Sequence, residues 1–265
     1  MAETILDIQN LDQLKNIGAA EDGTQPYDVI PLPSKGVFYK NKKSTLKVGY
    51  LTASDENILL SPNLLKSGKT IEVLLKKKIL DTDINPNELL SGDRDAVLVF
   101  LRTSGYGSIY KVNLTDPKTG DEFEYDVDLG ELNYKPLVES NQDGEYSVQL
   151  PISKSNIKFR LLTIGDINDI DETEEKKKKL VKNHQDETST KRLERIIMEI
   201  DGDRDKGRIS QTISRMRIGD SAFIRKYYNK VEPGIDLSLE VQAPSGEFFR
   251  ANIPITVSFF WPDLE

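Results

Sequence analysis

Residues 96–101 read Ala-Val-Leu-Val-Phe-Leu, with no polar side chain among them. Asp93, just ahead, is placed to cap a helix start, and a helix apolar on every side has to be buried. The rest of the chain must then close around it. Upstream, Thr52 and Ser54 precede Ile58, Leu59 and Leu60 as side-chain oxygens do at a helix start. From Thr70 the apolar positions Ile71, Leu74, Leu75 and Ile79 mark one helix face. Three short helices over a buried fourth are the expected core.

Strands flank this block. In residues 27–39, Pro31 and Pro33 cannot donate to a ladder, so an edge strand running into a turn at 34–36 is expected. Residues 45–51 read as a strand feeding the helical block. Residues 109–114 and the alternating Phe123, Tyr125, Val127 and Leu129 make a β-hairpin about Asp116-Pro-Lys-Thr-Gly120. Two further strands are expected at 146–150 and 157–162. Residues 171–182 pair Glu172 with Lys176 and Glu175 with Lys179 at helical spacing, and a linker follows at 184–190. Beyond it, Ile209, Ile213 and Met216 mark one helix. Phe223, Ile224, Tyr227 and Tyr228 mark another, capped by Asp220 and stopped by Pro233-Gly234. A last hairpin, 235–241 with 248–257, turns about Ala243-Pro-Ser-Gly246.

The fold class is therefore α+β: short helices packed with antiparallel β-hairpins, in two related helix-plus-hairpin halves. Helix 93–104 with hairpin 109–129 parallels helix 220–230 with hairpin 235–257. Duplication explains the parallel, and so does chance recurrence of a common unit. The expected units are an N-terminal arm over 1–26, where Ile5, Ile8, Leu11 and Leu14 suit a short docking helix, and a helical block with the first hairpin over 27–164. A charged helix and linker over 165–190 and a second helix-plus-hairpin domain over 191–265 follow.

Little points to chemistry. The formal charge of -8 disfavours a general nucleic-acid-binding role. No apolar run approaches a membrane span, and the first residues lack a secretory-signal pattern, so synthesis in a cytoplasm is expected. The absence of cysteine removes disulfides and thiolate metal sites. His184, the sole histidine, lies in the linker, which argues against a serine–histidine nucleophile. Ser67-Gly68-Lys69-Thr70 has the tail of a phosphate-binding loop, but Asn63 stands where that loop needs glycine. Asp201-Gly-Asp203-Arg-Asp205 opens like a calcium loop, but Lys206 and Thr212 hold its geometry-setting positions. The basic runs 76–78 and 176–179 read as solvated helix faces. The 44 acidic residues are spread along the chain without an evident acid–base pair. No catalytic, cofactor-binding or metal residue is therefore assigned. Phe259, Phe260 and Trp261 stand out instead, as rings that must be buried in the second half's core or against a partner, on alternate faces of a strand.

Six motifs occur in order: Leu32-Pro-Ser-Lys-Gly-Val-Phe-Tyr39, Leu51-Thr-Ala-Ser-Asp-Glu-Asn-Ile-Leu59, Ser91-Gly-Asp-Arg94 with Leu101-Arg-Thr-Ser-Gly-Tyr-Gly107, Gly219-Asp-Ser-Ala-Phe-Ile-Arg225, Glu232-Pro-Gly-Ile-Asp236 and Phe259-Phe-Trp-Pro262. Together they resemble the baseplate hub and hub-assembly proteins of T-even-like contractile-tailed bacteriophages. Many members of that family carry a Cys-Pro-x-Cys-Gly knuckle in each hairpin turn. Here the Pro and Gly stay and the cysteines are absent, so the resemblance brings no zinc with it. It implies a non-catalytic structural component of the tail baseplate hub, assembled in the host cytoplasm and residing in the virion. Its partners would be other tail and baseplate proteins, with self-association in a symmetric assembly, and no nucleic acid, membrane or small-molecule substrate. The alternatives are an assembly chaperone absent from the mature virion, a metal-free, zinc-ribbon-derived nucleic-acid-binding module, and a glycosidase acting through carboxylates alone.

Overall fold

The computed structural model describes residues 25–141, 144–181 and 185–260. The docking helix expected before residue 25, His184, Trp261 and the tail after it lie outside those residues.

Strands β1 (Tyr27–Pro31) and β2 (Thr45–Gly49) pair antiparallel, Val29 opposite Lys47. Pro31 ends the ladder, and the chain turns through Lys35 and Gly36, both at positive φ. Helices α1 (Ala53–Leu59), α2 (Pro62–Ser67) and α3 (Thr70–Lys78) follow. Thr52 caps α1 together with Asp55, whose carboxylate accepts from the Thr52 N–H (2.8 Å) and hydroxyl (2.8 Å). Ser54 serves differently: its hydroxyl accepts from Lys77. Gly68 at φ 68° closes α2, so residues 67–70 are a joint between two helices.

Helix α4 (Ser91–Tyr106) buries all of 96–101, as its composition requires. It packs against β1, a 3-10 turn at Leu129–Glu131 and another at Val257–Phe260. Its cap is Leu90; Asp93 sits inside the first turn, because its carboxylate is drawn to partners outside the helix. Strands β3 (Ile109–Thr115) and β4 (Glu122–Asp128) form the expected hairpin, in register from Ile109–Asp128 to Thr115–Glu122.

Strands β5 (Glu145–Gln149) and β6 (Asn156–Arg160) are joined through a turn with Lys154 at φ 64°. Helix α5 (Ile164–Leu180) is capped by the reciprocal pair Thr163 and Asp166. Both expected i,i+4 ion pairs form on its exposed side, while Ile164, Ile170 and Glu174 are buried. Residues 188–190 open helix α6 (Thr188–Ile196) where a linker was expected. Glu187 and Asp186 are tied back to α5 through Lys177 (2.7 Å) and Lys178 (2.9 Å), and Leu193 and Ile196 bury. Strand β7 (Ile197–Ile200), unforeseen in the sequence, pairs with β6 in the order β5-β6-β7.

Helices α7 (Lys206–Ser214) and α8 (Ile218–Val231) precede hairpin β8 (Ser238–Gln242) and β9 (Phe248–Asn252). The cap of α8 is Arg217, with Asp220 inside the first turn, the same departure as at Asp93. One apolar cluster runs from Ile30 through the α4 run, Phe159 and Ile224 to Phe260. The fold is α+β, eight helices among small antiparallel sheets in the described residues.

Candidate functional site

Two buried aspartates organise the surfaces. Asp93 accepts the Ser34 N–H (2.9 Å) and the Tyr39 hydroxyl, and that hydroxyl accepts the Leu90 N–H (3.1 Å). Burial pushes both the Asp93 carboxyl and the Tyr39 phenol above their ordinary values. Asp220 takes the same place in α8 and accepts the N–H groups of Ile152 (2.9 Å) and Ser153 (3.0 Å). Burial would raise it, but those two donors hold it below the usual carboxylate range. Each aspartate thus pins a Leu-Pro turn, 32–36 in one case and 150–154 in the other. The sequence signal was a Gly-Asp pair at 92–93 and again at 219–220, legible once both are seen to face a Leu-Pro turn.

The glycines ahead of them differ in surroundings. A Cβ on Gly92 would lie 2.0 Å from the Pro233 carbonyl oxygen and 2.5 Å from the Gly234 Cα, so only glycine lets the turn after α8 seat on the start of α4. A Cβ on Gly219 would meet only the side chain of Ile152.

Lys78 corrects the reading of 76–78 as a solvated face. Lys76 is exposed and pairs with Glu72, but Lys78 is fully buried, bonded to Asp55 and to the Tyr50 carbonyl (2.7 Å). Lys77 joins the same carboxylate at 2.7 Å. Burial acts to raise Asp55, and the hydrogen bonds from Lys77, Lys78 and Thr52 outweigh it, leaving the carboxyl at about 2.

The two hairpin turns meet each other. Asp116 accepts from Lys118 in its own turn (2.8 Å) and from the Ser245 N–H and hydroxyl in the other. Behind the tips, Phe123 and Phe249 meet edge to face at 6.3 Å. On the outer side of the first hairpin, Glu122, Glu124 and Asp126 are exposed.

Phe259 and Phe260 are buried, as expected, but by different means. They lie in a 3-10 turn, where both rings point inward, and Phe259 packs edge to face on Tyr110 of β3 at 4.9 Å. The aromatic end therefore completes the core around α4, in the first half of the chain.

The remaining motifs serve local structure. Asp201 and Gly202 make the turn out of β7 at positive φ, Asp203 pairs with Arg208 (2.9 Å), and Asp205 caps α7. Among the described residues, no group of three or more histidine, cysteine or acidic side chains is placed to hold a metal ion. In the same residues no helix is long and apolar enough to cross a membrane. Asp95 and Glu232, which the sequence did not single out, are both raised by burial, with Arg94 forked onto Asp95 (2.9 and 2.7 Å).

These features define an α+β scaffold protein, whose buried acids hold backbone turns and whose hairpins and helix corners face outward. A model of the family described as T4 bacteriophage base plate protein matches residues 31–260, and the chain belongs to that family. It is thus a structural protein of a bacteriophage tail baseplate. No curated protein and no solved structure matches it.

Proposed function

We propose that the chain is a non-catalytic subunit of the baseplate hub region, built into the tail and retained in the virion. The observation that carries this reading is the family match across residues 31–260. The use of the buried acids supports it: Asp55, Asp93, Asp166 and Asp220 are each engaged by lysines, arginine, hydroxyls or backbone amides that position turns and helix starts. A general acid or base needs a carboxyl free to exchange a proton with substrate. Its partners are other tail and baseplate proteins, met through exposed hairpins and helix corners. The acidic outer strand of the first hairpin, with Glu122, Glu124 and Asp126, would repel a phosphate backbone.

Quantitative mass spectrometry of purified virions beside infected-cell lysate tests the reading. A fixed, low copy number per particle is expected. Presence in lysate with absence from virions would replace it with a transient assembly factor.

A further inference from the structure

The two Gly-Asp helix starts belong to matching series of elements. Each series runs strand, Leu-Pro turn with a lysine at positive φ (Lys35, Lys154), strand, and Thr–Asp capped helix (Thr52 with Asp55, Thr163 with Asp166). Each then continues to the Gly-Asp helix (α4, α8), a glycine (Gly107, Gly234) and a hairpin. The series are finished differently. The turn at Gly234, leaving α8, seals the start of α4 at Gly92. The corresponding turn at Gly107, leaving α4, makes no such contact: a Cβ there would meet no atom within 4 Å, and its carbonyl accepts from Arg102 of its own helix (3.0 Å). The start of α8 is correspondingly bare, with Ile218 83% exposed and Ile152 42% exposed.

A two-fold relation between the series would require Gly219 to meet Gly107 as Gly92 meets Gly234. It does not, so the contact inside the chain is of the head-to-tail kind, with one head and one tail left open. Their charges are opposite. Around Ile218 stand the exposed Arg215, Arg217 and Arg225, and Arg217 is near enough to Asp220 to help hold its carboxyl down. Beside Gly107, Ile109 is 52% exposed at the base of the first hairpin. It lies opposite Asp128, with Asp126 opposite Lys111, Glu124 opposite Asn113 and Glu122 opposite Thr115. Alternation puts these acids on the same face as Ile109, where Lys111 is the only cation, 3.9 Å from Glu124.

We infer that the Ile218 corner is a docking surface for a second copy of this chain, which presents its Gly107–Ile109 turn and the acidic face of its first hairpin. Copies then join head to tail, an arrangement that closes into rings or continues as filaments. The inference goes beyond the baseplate reading and is tested apart from it, on the purified chain without phage particles.

Sedimentation velocity at on the order of 100 µM protein is the measurement, at low salt and again at high salt, where exposed charge pairs are screened. The wild type is expected to sediment above monomer mass at low salt and as monomer at high salt. The R215E/R217E variant and the E124K/D126K variant should each associate at least about tenfold more weakly. Mixing the two in equal amounts restores opposite charges at every contact and should restore association, an outcome that misfolding cannot produce. A wild type monomeric at low salt would overturn the inference, as would association unaffected by either variant or a mixture without rescue.

Discussion

Asp116 and Ser245 lie 129 positions apart, and the Asp116 carboxylate accepts both the backbone N–H (3.0 Å) and the hydroxyl (2.9 Å) of Ser245. Two hairpin tips that show no sequence sign of meeting are thereby held at one point. Burial would raise Asp116, but the N–H of Lys118 and the donors of Ser245 leave it below the usual range. The tie is therefore complete above the ordinary carboxylate pKa and is lost as pH falls through the lowered one. Asp116→Ala should speed amide exchange at Ser245 and Gly246 while the β5-β6-β7 sheet keeps its protection. Exchange mass spectrometry with unchanged rates at the tip would show the contact to be incidental.

Removing the Asp93 carboxylate leaves two buried donors, the Ser34 N–H and the Tyr39 hydroxyl, without a partner. Each costs about 1–3 kcal/mol, so Asp93→Ala should lower unfolding stability by roughly 2–6 kcal/mol in urea titration. A change within about 0.5 kcal/mol, as at an ordinary surface site, would contradict the role given to this residue.

The Asp55–Lys78 pair sets an acid limit. Asp55 is held at about 2, below its unfolded value, so its ionised form favours the folded state. That contribution is intact above about pH 5 and drains away as pH falls through about 2. Lys78→Met strips one cation from a buried carboxylate and should cost about 3–5 kcal/mol at neutral pH. In Asp55→Asn the fall of stability between pH 4 and pH 2 should be shallower than in the wild type, as thermal melts across that range would reveal.

Phe259→Ala removes a fully buried ring from between α4 and Tyr110. A loss of about 3–5 kcal/mol is expected. Near-UV circular dichroism should also lose the tyrosine signal of a rigid Tyr110. Unaltered stability would mean that the ring is dispensable.

The sequence exposed what local patterning controls. The run 96–101 is buried because no side of that helix is polar, and the first hairpin falls where alternation and an Asp-Pro-x-x-Gly turn place it. What it concealed depends on distant partners. Asp93 and Asp220 look like caps, since capping and turn-pinning use the same residue at nearly the same place, and only the position of residues 34 and 152 decides between them. Lys78 looks solvated in a lysine run because the carboxylate that buries it lies on another helix. Helix α6 and β7 split a stretch of 13 residues, each too short to show its period. The rings at 259 and 260 were expected in the second half's core or against a partner because they close the chain in sequence, yet they fill the core around α4.

That last placement sets an order on synthesis. At about 5–20 residues per second, Phe259 leaves the ribosome roughly 8–30 s after the buried run of α4, the helix its own turn packs against. Until then α4 has an unfilled flank, and a chain broken off early carries that flank exposed to chaperones and proteases. The core around α4 is complete only when nearly all of the matched region has been made.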